Sequence, residues 1–379
     1  MPKPTNQQDK VENRQEVLTM KQDIAFIQRE VLKEKPDFAS LGFGKYFSDY
    51  MFVMDYQHEV GWFDPRITPY EPLTLEPSAM VFHYGQAIFE GMKAYKTADG
   101  AVQLFRPEKN MRRLNESCER LCIPQIDEEF LLNAIKQLIL TEKDWVPEGE
   151  GTSLYIRPFI FSTEPYLGVR PAKQYKLLVI LSPSGAYYGD QLSPVRIYVE
   201  EHYVRAVIGG VGHVKTAGNY AASLKAQEKA DENGFAQILW LDAKENKYVE
   251  EVGSMNIFFK INGEVVTPRL NGSILPGVTR DSVIELLKYW NIPVREEKIS
   301  IEEVFAAHAR GELEEVFGAG TAAVISPVGE LTWNDQAITI NDRQIGELSQ
   351  RIYDEVTGIQ LGKKEDPFNW TVKVEQVEV

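Results

Sequence analysis

The chain has 379 residues, which is long enough for two domains with separate hydrophobic cores. Its 41 basic and 56 acidic residues give a formal charge of −15, a field that repels phosphate backbones and argues against nucleic-acid binding. Residues 1–23 are polar and of mixed charge, unlike a signal or transit peptide, and no stretch approaches the ~18 apolar residues of a membrane span. We therefore expect a cytoplasmic protein that does not contact a membrane.

The chain contains few cysteines and histidines, the residue types that most often form disulfides or bind metals. The two cysteines, Cys118 and Cys122, are four residues apart in a predicted helix, where a disulfide within one turn is geometrically unfavourable. We expect both thiols to be reduced, as is usual in a cytosolic protein. The five histidines include no pair at metal-ligand spacing, so no metal site is predicted.

The first half of the chain alternates predicted helices and strands. Residues 1–20 lack an apolar pattern and are expected to form a loose tail. The apolar residues Ile88, Phe89 and Met92 have helical spacing. The other elements predicted here are short strands in 47–67, helices over 108–121 and 128–140, and strands at VQLFR, over 153–161 and over 175–183.

Turn-forming residues in 183–194 predict a domain boundary. We expect an α+β fold with a small N-terminal domain (1–182), an interdomain loop (183–194) and a large C-terminal domain (195–379). Asn262-Gly263 between two apolar runs predicts a β-hairpin. The other predicted elements are strands in VRIYVEE and AQILWLD, a helix over 221–233 ended by Gly234, a helix after LPGVTRDS, two strands that meet at GAGTAA, and a final helix over 341–358.

Residues 209–222, GGVGHVKTAGNYAA, contain the candidate catalytic residue, Lys215. Lysine amines form Schiff bases, and they become nucleophilic when burial or a neighbouring charge lowers their pKa. Glycines let the backbone approach a bound group closely. A phosphate-binding P-loop is excluded because that motif requires glycine before the lysine, and Val214 stands there. A lone lysine near glycines is usually solvated, so the interpretation depends on other residues.

Two segments offer backbone donors for an anion. In LPGVTRDS, Thr279 can cap the next helix and leave the N–H groups of Val278 and Thr279 free for a phosphate. On its own, a plain helix cap is the simpler interpretation. The small residues of GAGTAA (318–323) can expose N–H groups that hold a phosphate or a carboxylate.

Two further features supply charged side chains. An acid in EEVGSMN (250–256) can pair with a protonated ring nitrogen of a pyridoxal cofactor, although two solvated acids are the simpler interpretation. Arg157 lies in an apolar predicted strand, so it needs a carboxylate or a cavity. Arg113 lies in a predicted helix. A structural ion pair explains either arginine at least as well, and so does a solvated helix face for Arg113.

Taken together, six segments resemble the motifs of the branched-chain amino acid aminotransferases, which are pyridoxal-phosphate enzymes of fold type IV. The resemblance covers roughly residues 35–370 and implies a smaller N-terminal α/β domain, a larger C-terminal pseudo-barrel α/β domain, and a homodimer. The segments are GGVGHVKTAGNY, YVEEVGSMN, LPGVTR, GAGTAA, HYGQAIFEG and YIRPFIF.

The resemblance implies a set of cofactor contacts. Lys215 would bind the aldehyde of pyridoxal 5'-phosphate and later move the substrate's α-proton. Glu251 would keep the pyridine nitrogen protonated, and Tyr220 would contact the phenolic oxygen. The groups implied for the phosphate are Arg113, the backbone N–H groups of Val278 and Thr279, and the Thr321 hydroxyl.

The resemblance also implies substrate contacts. The N–H groups of Thr321 and Ala322 would hold the α-carboxylate, while Tyr84 and Arg157 would accept the distal carboxylate of glutamate. An apolar pocket would be walled by Phe89, Tyr155 and Tyr187, and Leu167 and Val169 would enter the site of the other subunit.

One pair of positions departs from the family pattern. Some members carry Cys-x-x-Cys directly after the GTA turn, where this chain has Ala323 and Ser326. We therefore expect no thiol switch of the kind associated with that motif.

The implied activity is a reversible, ping-pong amino transfer between L-leucine, L-isoleucine or L-valine and 2-oxoglutarate, which gives branched-chain 2-oxo acids and L-glutamate. A D-amino-acid aminotransferase or an aminodeoxychorismate lyase of the same fold type would share Lys215 and Glu251. A non-catalytic regulator or nucleotide-binding module is a further alternative, against which the failed P-loop and the lysine–glutamate pair argue.

Overall fold

The computed structural model describes residues 23–185 and 192–375, and these residues form two nine-stranded sheets with helices packed on them. The predicted tail, 1–20, and Tyr187 lie outside the described residues. No helix in the described residues is long and apolar enough to cross a membrane. The same residues include no cluster of three or more His, Cys, Asp or Glu side chains placed to hold a metal.

The first sheet is largely antiparallel and has the strand order β1-β3-β2-β8-β7-β5-β6, with β4 paired to β7. Its elements are β1 (Ala25–Phe26), β2 (Tyr50–Gln57), β3 (Gly61–Pro69), α1 (Val81–Tyr84), β4 (Ala87–Phe89), β5 (Met92–Lys96), β6 (Val102–Phe105), α2 (Pro107–Arg120), α3 (Glu128–Thr141), β7 (Ser153–Ser162) and β8 (Gln174–Ser184). The apolar faces of α2 and α3 bury Leu114, Leu131 and Leu138 in the core of this sheet. The helices and strands predicted over 108–121, 128–140, 153–161 and 175–183 are confirmed to within two residues.

The second sheet is mixed and has the order β11-β10-β9-β16-β15-β12-β13-β14, with β17 paired to β16. Its elements are β9 (Val195–Val199), α4 (Ala217–Ala221), α5 (Leu224–Glu232), β10 (Gln237–Leu241), β11 (Val249–Val252), β12 (Asn256–Ile261), β13 (Glu264–Pro268), α6 (Val278–Tyr289), β14 (Val294–Glu297), α7 (Ile301–Ala309), β15 (Leu313–Gly320), β16 (Val324–Trp333), β17 (Gln336–Thr339) and α8 (Glu347–Gln360). The predicted hairpin is confirmed: β12 and β13 are antiparallel, and Asn262 and Gly263 at the turn have φ of 49° and 78°.

The last strand, β18 (Thr371–Lys373), returns to the first sheet and pairs antiparallel with β6. The preceding residue, Trp370, packs edge-on against Phe105, with ring centroids 5.5 Å apart. The division of the chain into domains 1–182 and 195–379 stays a proposal. Strand β18 lies in the second of these ranges but belongs to the first sheet.

The helical spacing of Ile88, Phe89 and Met92 was misleading, because these residues lie in β4 and β5. Both strands pair with β7, and they are only three and five residues long. The spacing of Ile88, Phe89 and Met92 therefore spans two short strands and the break at 90–91 between them. The predicted helix over 221–233 is also wrong at its start, because α4 begins at Ala217 and a break at 222–223 separates it from α5. Gly234 follows α5 with φ of 75°, as a helix-ending glycine does.

Two other predictions fail at helix ends. Cys122 lies beyond the end of α2 with φ of 54° and is exposed, whereas Cys118 is buried in the helix; both thiols are free. The predicted helix over 341–358 begins as a separate 3₁₀ turn, Asn341–Arg343, in which Asp342 has φ of 49°, and α8 starts only at Glu347.

Leu154→Ala is expected to lower the free energy of unfolding by about 2–5 kcal/mol, because Leu154 is fully buried at the centre of the first sheet. Chemical denaturation followed by circular dichroism measures the change. The control, Leu270→Ala, truncates a leucine that is 43% exposed and should change the free energy by about 0.5 kcal/mol or less. Equal effects of the two variants would contradict the placement of Leu154.

Candidate active site

The backbone around Lys215 is held by the first sheet. The Lys215 N–H donates to Ser117 Oγ on α2 at 3.1 Å, and its carbonyl accepts from the Phe89 N–H on β4 at 3.0 Å. The Thr216 hydroxyl donates to the Ala87 carbonyl at 2.8 Å. The lysine therefore lies where the two sheets meet, just before α4.

The segment before Lys215 folds back tightly on itself. Asn219 Nδ2 donates to the carbonyls of Val211 at 2.8 Å and Val214 at 2.9 Å, which ties this loop to the start of α4. A Cβ on Gly212 would lie 2.2 Å from the Ser273 carbonyl oxygen, so only glycine permits this approach. These contacts explain why the glycine-rich sequence precedes the lysine.

The Lys215 side chain is half-buried beside two aromatic rings. Its Nζ lies 2.7 Å from the Tyr220 hydroxyl and 4.6 Å from the centre of the Phe89 ring. Desolvation and the nearby Arg113 charge lower the pKa of Lys215 to about 8. Burial raises the pKa of Tyr220 to about 12, so its hydroxyl stays protonated. A fraction of the lysine is thus a free amine near neutral pH, as a nucleophile requires.

Arg113 lies near Lys215 and forms a two-point ion pair with Glu90. The Nε to Oε1 and Nη2 to Oε2 distances are 2.7 and 2.9 Å, and Asn110 Nδ2 donates to Oε2 at 2.9 Å. Burial alone would raise the pKa of Glu90, but Arg113 holds it below the usual range. Arg113 Nη1 also donates to the Pro276 carbonyl at 3.0 Å, so this arginine fixes the loop before α6.

Glu251, on β11, is a second buried acid with a cationic partner. It forms an ion pair with Arg205 Nε at 2.5 Å and accepts from Asn256 Nδ2 at 3.1 Å and the Leu275 N–H at 3.2 Å. Burial raises the pKa of Glu251 to about 7, against the opposing effect of Arg205. Glu251, Arg205, Tyr220 and Leu275 line one cavity of about 410 Å³. Glu251 and Tyr220, the hydrogen-bond partner of Lys215, therefore line the same cavity.

Helix α6 begins beside Arg113 without a side-chain cap. The prediction that Thr279 caps this helix is wrong: Gly277 is the N-cap, and Thr279 lies in the first turn. A glycine cap offers no acceptor, so the first-turn N–H groups of Val278 and Thr279 remain free for an anion. A Cβ on Gly277 would lie 2.1 Å from Asn256 Oδ1, which explains glycine at this position.

The turn between β15 and β16 is formed by residues 321–323, as predicted for GAGTAA. Thr321 and Ala322 are half-buried, and the Ala322 carbonyl accepts from Lys93 Nζ at 2.7 Å. Burial lowers the pKa of Lys93 to about 8. Lys93 anchors the turn from β5, so the first sheet again positions a loop of the second.

Alternate residues of β7 place Tyr155 and Arg157 on one face. Arg157 Nη2 donates to the Tyr155 hydroxyl at 3.0 Å, and the guanidinium lies 4.7 Å from the centre of the Phe89 ring. Its buried Nε has no hydrogen-bond partner among residues 23–185 and 192–375. A Cβ on Gly91 would lie 2.0 Å from the Tyr155 hydroxyl oxygen, so glycine makes room for this group.

Three residues predicted to contact substrate, two of them in the site of the other subunit, lie on the exposed surface of this chain. The Tyr84 hydroxyl donates to the Leu167 carbonyl, so Tyr84 is paired with Leu167 and not with Arg157. Leu167 and Val169 are 73% and 85% exposed. These residues form an exposed patch, which we call the Tyr84 patch. Tyr187 lies outside the described residues.

Four residues of the site were missed in the sequence: Glu90, Lys93, Ser117 and Arg205. Glu90 carried a signal, because an acid inside the apolar run AIFEGMKAY must be paired if it is buried. Arg205 lies in a loop without periodicity, and nothing in the sequence marked it as a residue of the site.

The fold and the site define a class of enzyme. The sequence model of the family described as Amino-transferase class IV matches residues 87–331. The chain is 66% identical over 343 residues, 90% of this chain and 96% of the relative, to branched-chain-amino-acid transaminase 1 of Bacillus subtilis strain 168.

Two solved structures have the same fold. A branched-chain amino acid aminotransferase of Escherichia coli superposes with a TM-score of 0.73 at 28% identity, over 86% of this chain and 99% of that one. The branched-chain amino acid aminotransferase of Thermoproteus uzoniensis, solved with norvaline, gives 0.71 at 26% identity, over 86% and 100%. The chain belongs to the branched-chain amino acid aminotransferases of class IV and fold type IV, and it is an enzyme.

The amine of Lys215 should react with aldehydes at a rate that rises with pH through an apparent pKa of about 8, because only the unprotonated amine attacks. The measurement is the rate at which apoprotein reacts with pyridoxal, followed by absorbance. Lys215→Arg should remove this phase, and Lys93→Met, which removes the other half-buried lysine of this region, should retain it. An apparent pKa near 10, that of a solvated lysine, would contradict the assigned environment.

Proposed function

We propose that this enzyme transfers an amino group reversibly between L-leucine, L-isoleucine or L-valine and 2-oxoglutarate, in the cytoplasm and with pyridoxal 5'-phosphate as cofactor. The observation that carries the proposal is the Lys215 amine, which has a pKa of about 8 and lies 2.7 Å from the hydroxyl of Tyr220, a residue that lines the same cavity as Glu251. The cofactor, when bound, supplies an aldehyde carbon for the amine and a ring that accepts electrons from the substrate.

The donor set of this region fits that cofactor. The uncapped start of α6, with the Val278 and Thr279 N–H groups, and the remaining N–H donors of Arg113 suit a phosphate, and we add the Thr321 hydroxyl to this set. The Tyr220 hydroxyl suits a phenolic oxygen. Glu251 suits a ring nitrogen, and the adjacent Arg205 favours its ionised form, which would hold a proton on that nitrogen.

Lys215 then serves two purposes. Its free amine would hold the cofactor, and during the reaction the same amine would take the proton from the substrate's Cα and hold it for its return. A pKa of about 8 suits both steps, because an amine near neutrality can hold or release a proton. The Tyr220 hydroxyl orients Nζ by its hydrogen bond.

One site must accept an aliphatic side chain and a carboxylate in turn. We propose that the Thr321 and Ala322 N–H groups hold the α-carboxylate, while Phe89, Tyr155 and Tyr187 wall the aliphatic pocket. Arg157 would bind the distal carboxylate, since its buried Nε has no partner within the described ranges. Contact with Phe89 and Tyr155 lets the guanidinium line an apolar pocket when no carboxylate is bound.

We also propose a homodimer. Phe82, two residues before Tyr84 on α1, is also 62% exposed, and several large apolar side chains exposed near one another are typical of a protein–protein contact. Leu167 and Val169 would enter the partner's site, and the bond from Tyr84 to Leu167 indicates that Tyr84 acts there as well.

L-leucine should remove the near-visible absorbance of the bound aldehyde, and 2-oxoglutarate should restore it, because the two half-reactions are separate. Lys215→Ala should lose turnover and remain a folded, cofactor-binding protein. The measurement is the absorbance spectrum of the purified holoenzyme. A band that responds to D-alanine and not to L-leucine would favour a D-amino-acid aminotransferase, and normal turnover by Lys215→Ala would exclude the proposed mechanism.

Arg157→Gln should raise the KM for 2-oxoglutarate by about 10- to 100-fold, the effect of losing a charge-assisted hydrogen bond, and change that for L-leucine much less. Steady-state kinetics with each substrate varied in turn separates the two effects. Arg112→Gln, at an exposed position of α2, is the control and should change neither. An equal rise in KM for both substrates would assign Arg157 to the shared α-carboxylate or to structure.

A further inference from the structure

One face of α2 joins three parts of the site. Asn110, Arg113 and Ser117 follow one another at helical spacing of three and four residues. Asn110 and Arg113 bind Glu90, Arg113 also binds the Pro276 carbonyl at 3.0 Å, and Ser117 accepts from the Lys215 N–H at 3.1 Å. Glu90 is the acidic member of this group, and the function proposed above gives it no part.

Glu90 cannot touch a ligand directly. It has no exposed surface, and both of its carboxylate oxygens are occupied. Oε1 accepts from Arg113 Nε, and Oε2 accepts from Arg113 Nη2, Asn110 Nδ2 and the Gly91 N–H at 2.9, 2.9 and 3.1 Å. Any effect of Glu90 on the reaction must therefore pass through Arg113 or through its charge.

The Glu90 pair restricts Arg113 to one orientation. Of its five N–H donors, two are taken by Glu90 and one by Pro276, which leaves one on each terminal nitrogen. Pro276 is two residues before the start of α6, so the same arginine holds the helix N-terminus next to its own free donors. Without Glu90, the guanidinium would lose its planar two-point contact, and its free donors would not stay beside α6.

We propose that Glu90 is a positioning residue that holds Arg113 and the N-terminus of α6 together as one binding site for a phosphate group. The inference rests on the proposed function, because the phosphate is that of pyridoxal 5'-phosphate. Glu90 acts through Arg113, so its removal lowers affinity for phosphate-bearing ligands more than for the same ring without phosphate.

The test compares three probes on apoprotein: pyridoxal 5'-phosphate, pyridoxal and inorganic phosphate. Glu90→Gln keeps the shape of the side chain and removes its charge. The affinities for pyridoxal 5'-phosphate and inorganic phosphate should fall by about 10- to 100-fold, and that for pyridoxal by less than about threefold. The control, Glu119→Gln, removes an exposed acid from the same region of α2 and should change none of them.

A second pair of variants separates positioning from stability. Arg113→Gln should show the same selective loss, and Glu90→Gln/Arg113→Gln should lose no more phosphate affinity than Arg113→Gln alone, since Glu90 acts through the arginine. The double variant also leaves no unpaired buried charge, so it should fold even if Glu90→Gln does not.

Two results would overturn the assignment: an equal loss of affinity for pyridoxal and pyridoxal 5'-phosphate in Glu90→Gln, or additive losses in the double variant. Wild-type protein that binds inorganic phosphate but neither pyridoxal compound would instead overturn the proposed function. The selective effect of Glu90→Gln on phosphate would then still support the positioning role.

Discussion

The hydrogen bonds between residues 215–216 and the first sheet are the contact on which the site depends. Ser117, Phe89 and Ala87 all belong to the first sheet or to helix α2 packed on it. They nevertheless fix the backbone of the loop that carries Lys215, which lies between β9 and α4. Lys93 does the same for the turn at Ala322. The reactive groups are therefore aligned only when the two sheets are docked.

Charge compensation is the second constraint. Arg113, Lys215 and Arg205 lie close together, and each unpaired buried charge would cost several kcal/mol, on the order of the whole stability of a domain. Glu90 and Glu251 offset these cations by direct ion pairs. Burial and the Arg113 charge lower the pKa of Lys215 below that of a solvated lysine, and the Glu90 charge opposes this shift only in part. Complete pairing would stabilise the ammonium form and remove the nucleophile.

The sequence predicted the parts of the fold that local chemistry determines. The Asn262-Gly263 hairpin, the apolar strands β7 and β8, and the helices α2 and α3 follow from turn residues and periodicity. The strands β4 and β5 were missed because they are only three and five residues long, too short for an alternating pattern to stand out from the helical spacing across them.

The composition of the site could be predicted only in part. Lys215 and the acids of 250–256 stand in segments whose glycines or neighbouring charges mark them, whereas Tyr220 and the role of Arg113 came from the family resemblance. Arg205 and Ser117 were missed, because their importance comes from tertiary contacts with residues 46 and 98 positions away in sequence. Tyr84 was predicted to accept the distal carboxylate together with Arg157, and this role stays a prediction. The structure pairs Tyr84 with an exposed loop carbonyl.

The return of β18 to the first sheet has a consequence for biosynthesis. Strand β6 has a free hydrogen-bonding edge until residues 371–373 are made, and these residues follow the whole of the second sheet. An uncovered edge is a template for pairing with another chain. A nascent chain that lacks its last strand would thus expose this edge while the second sheet forms, and early termination near residue 370 would leave it open to association with other chains.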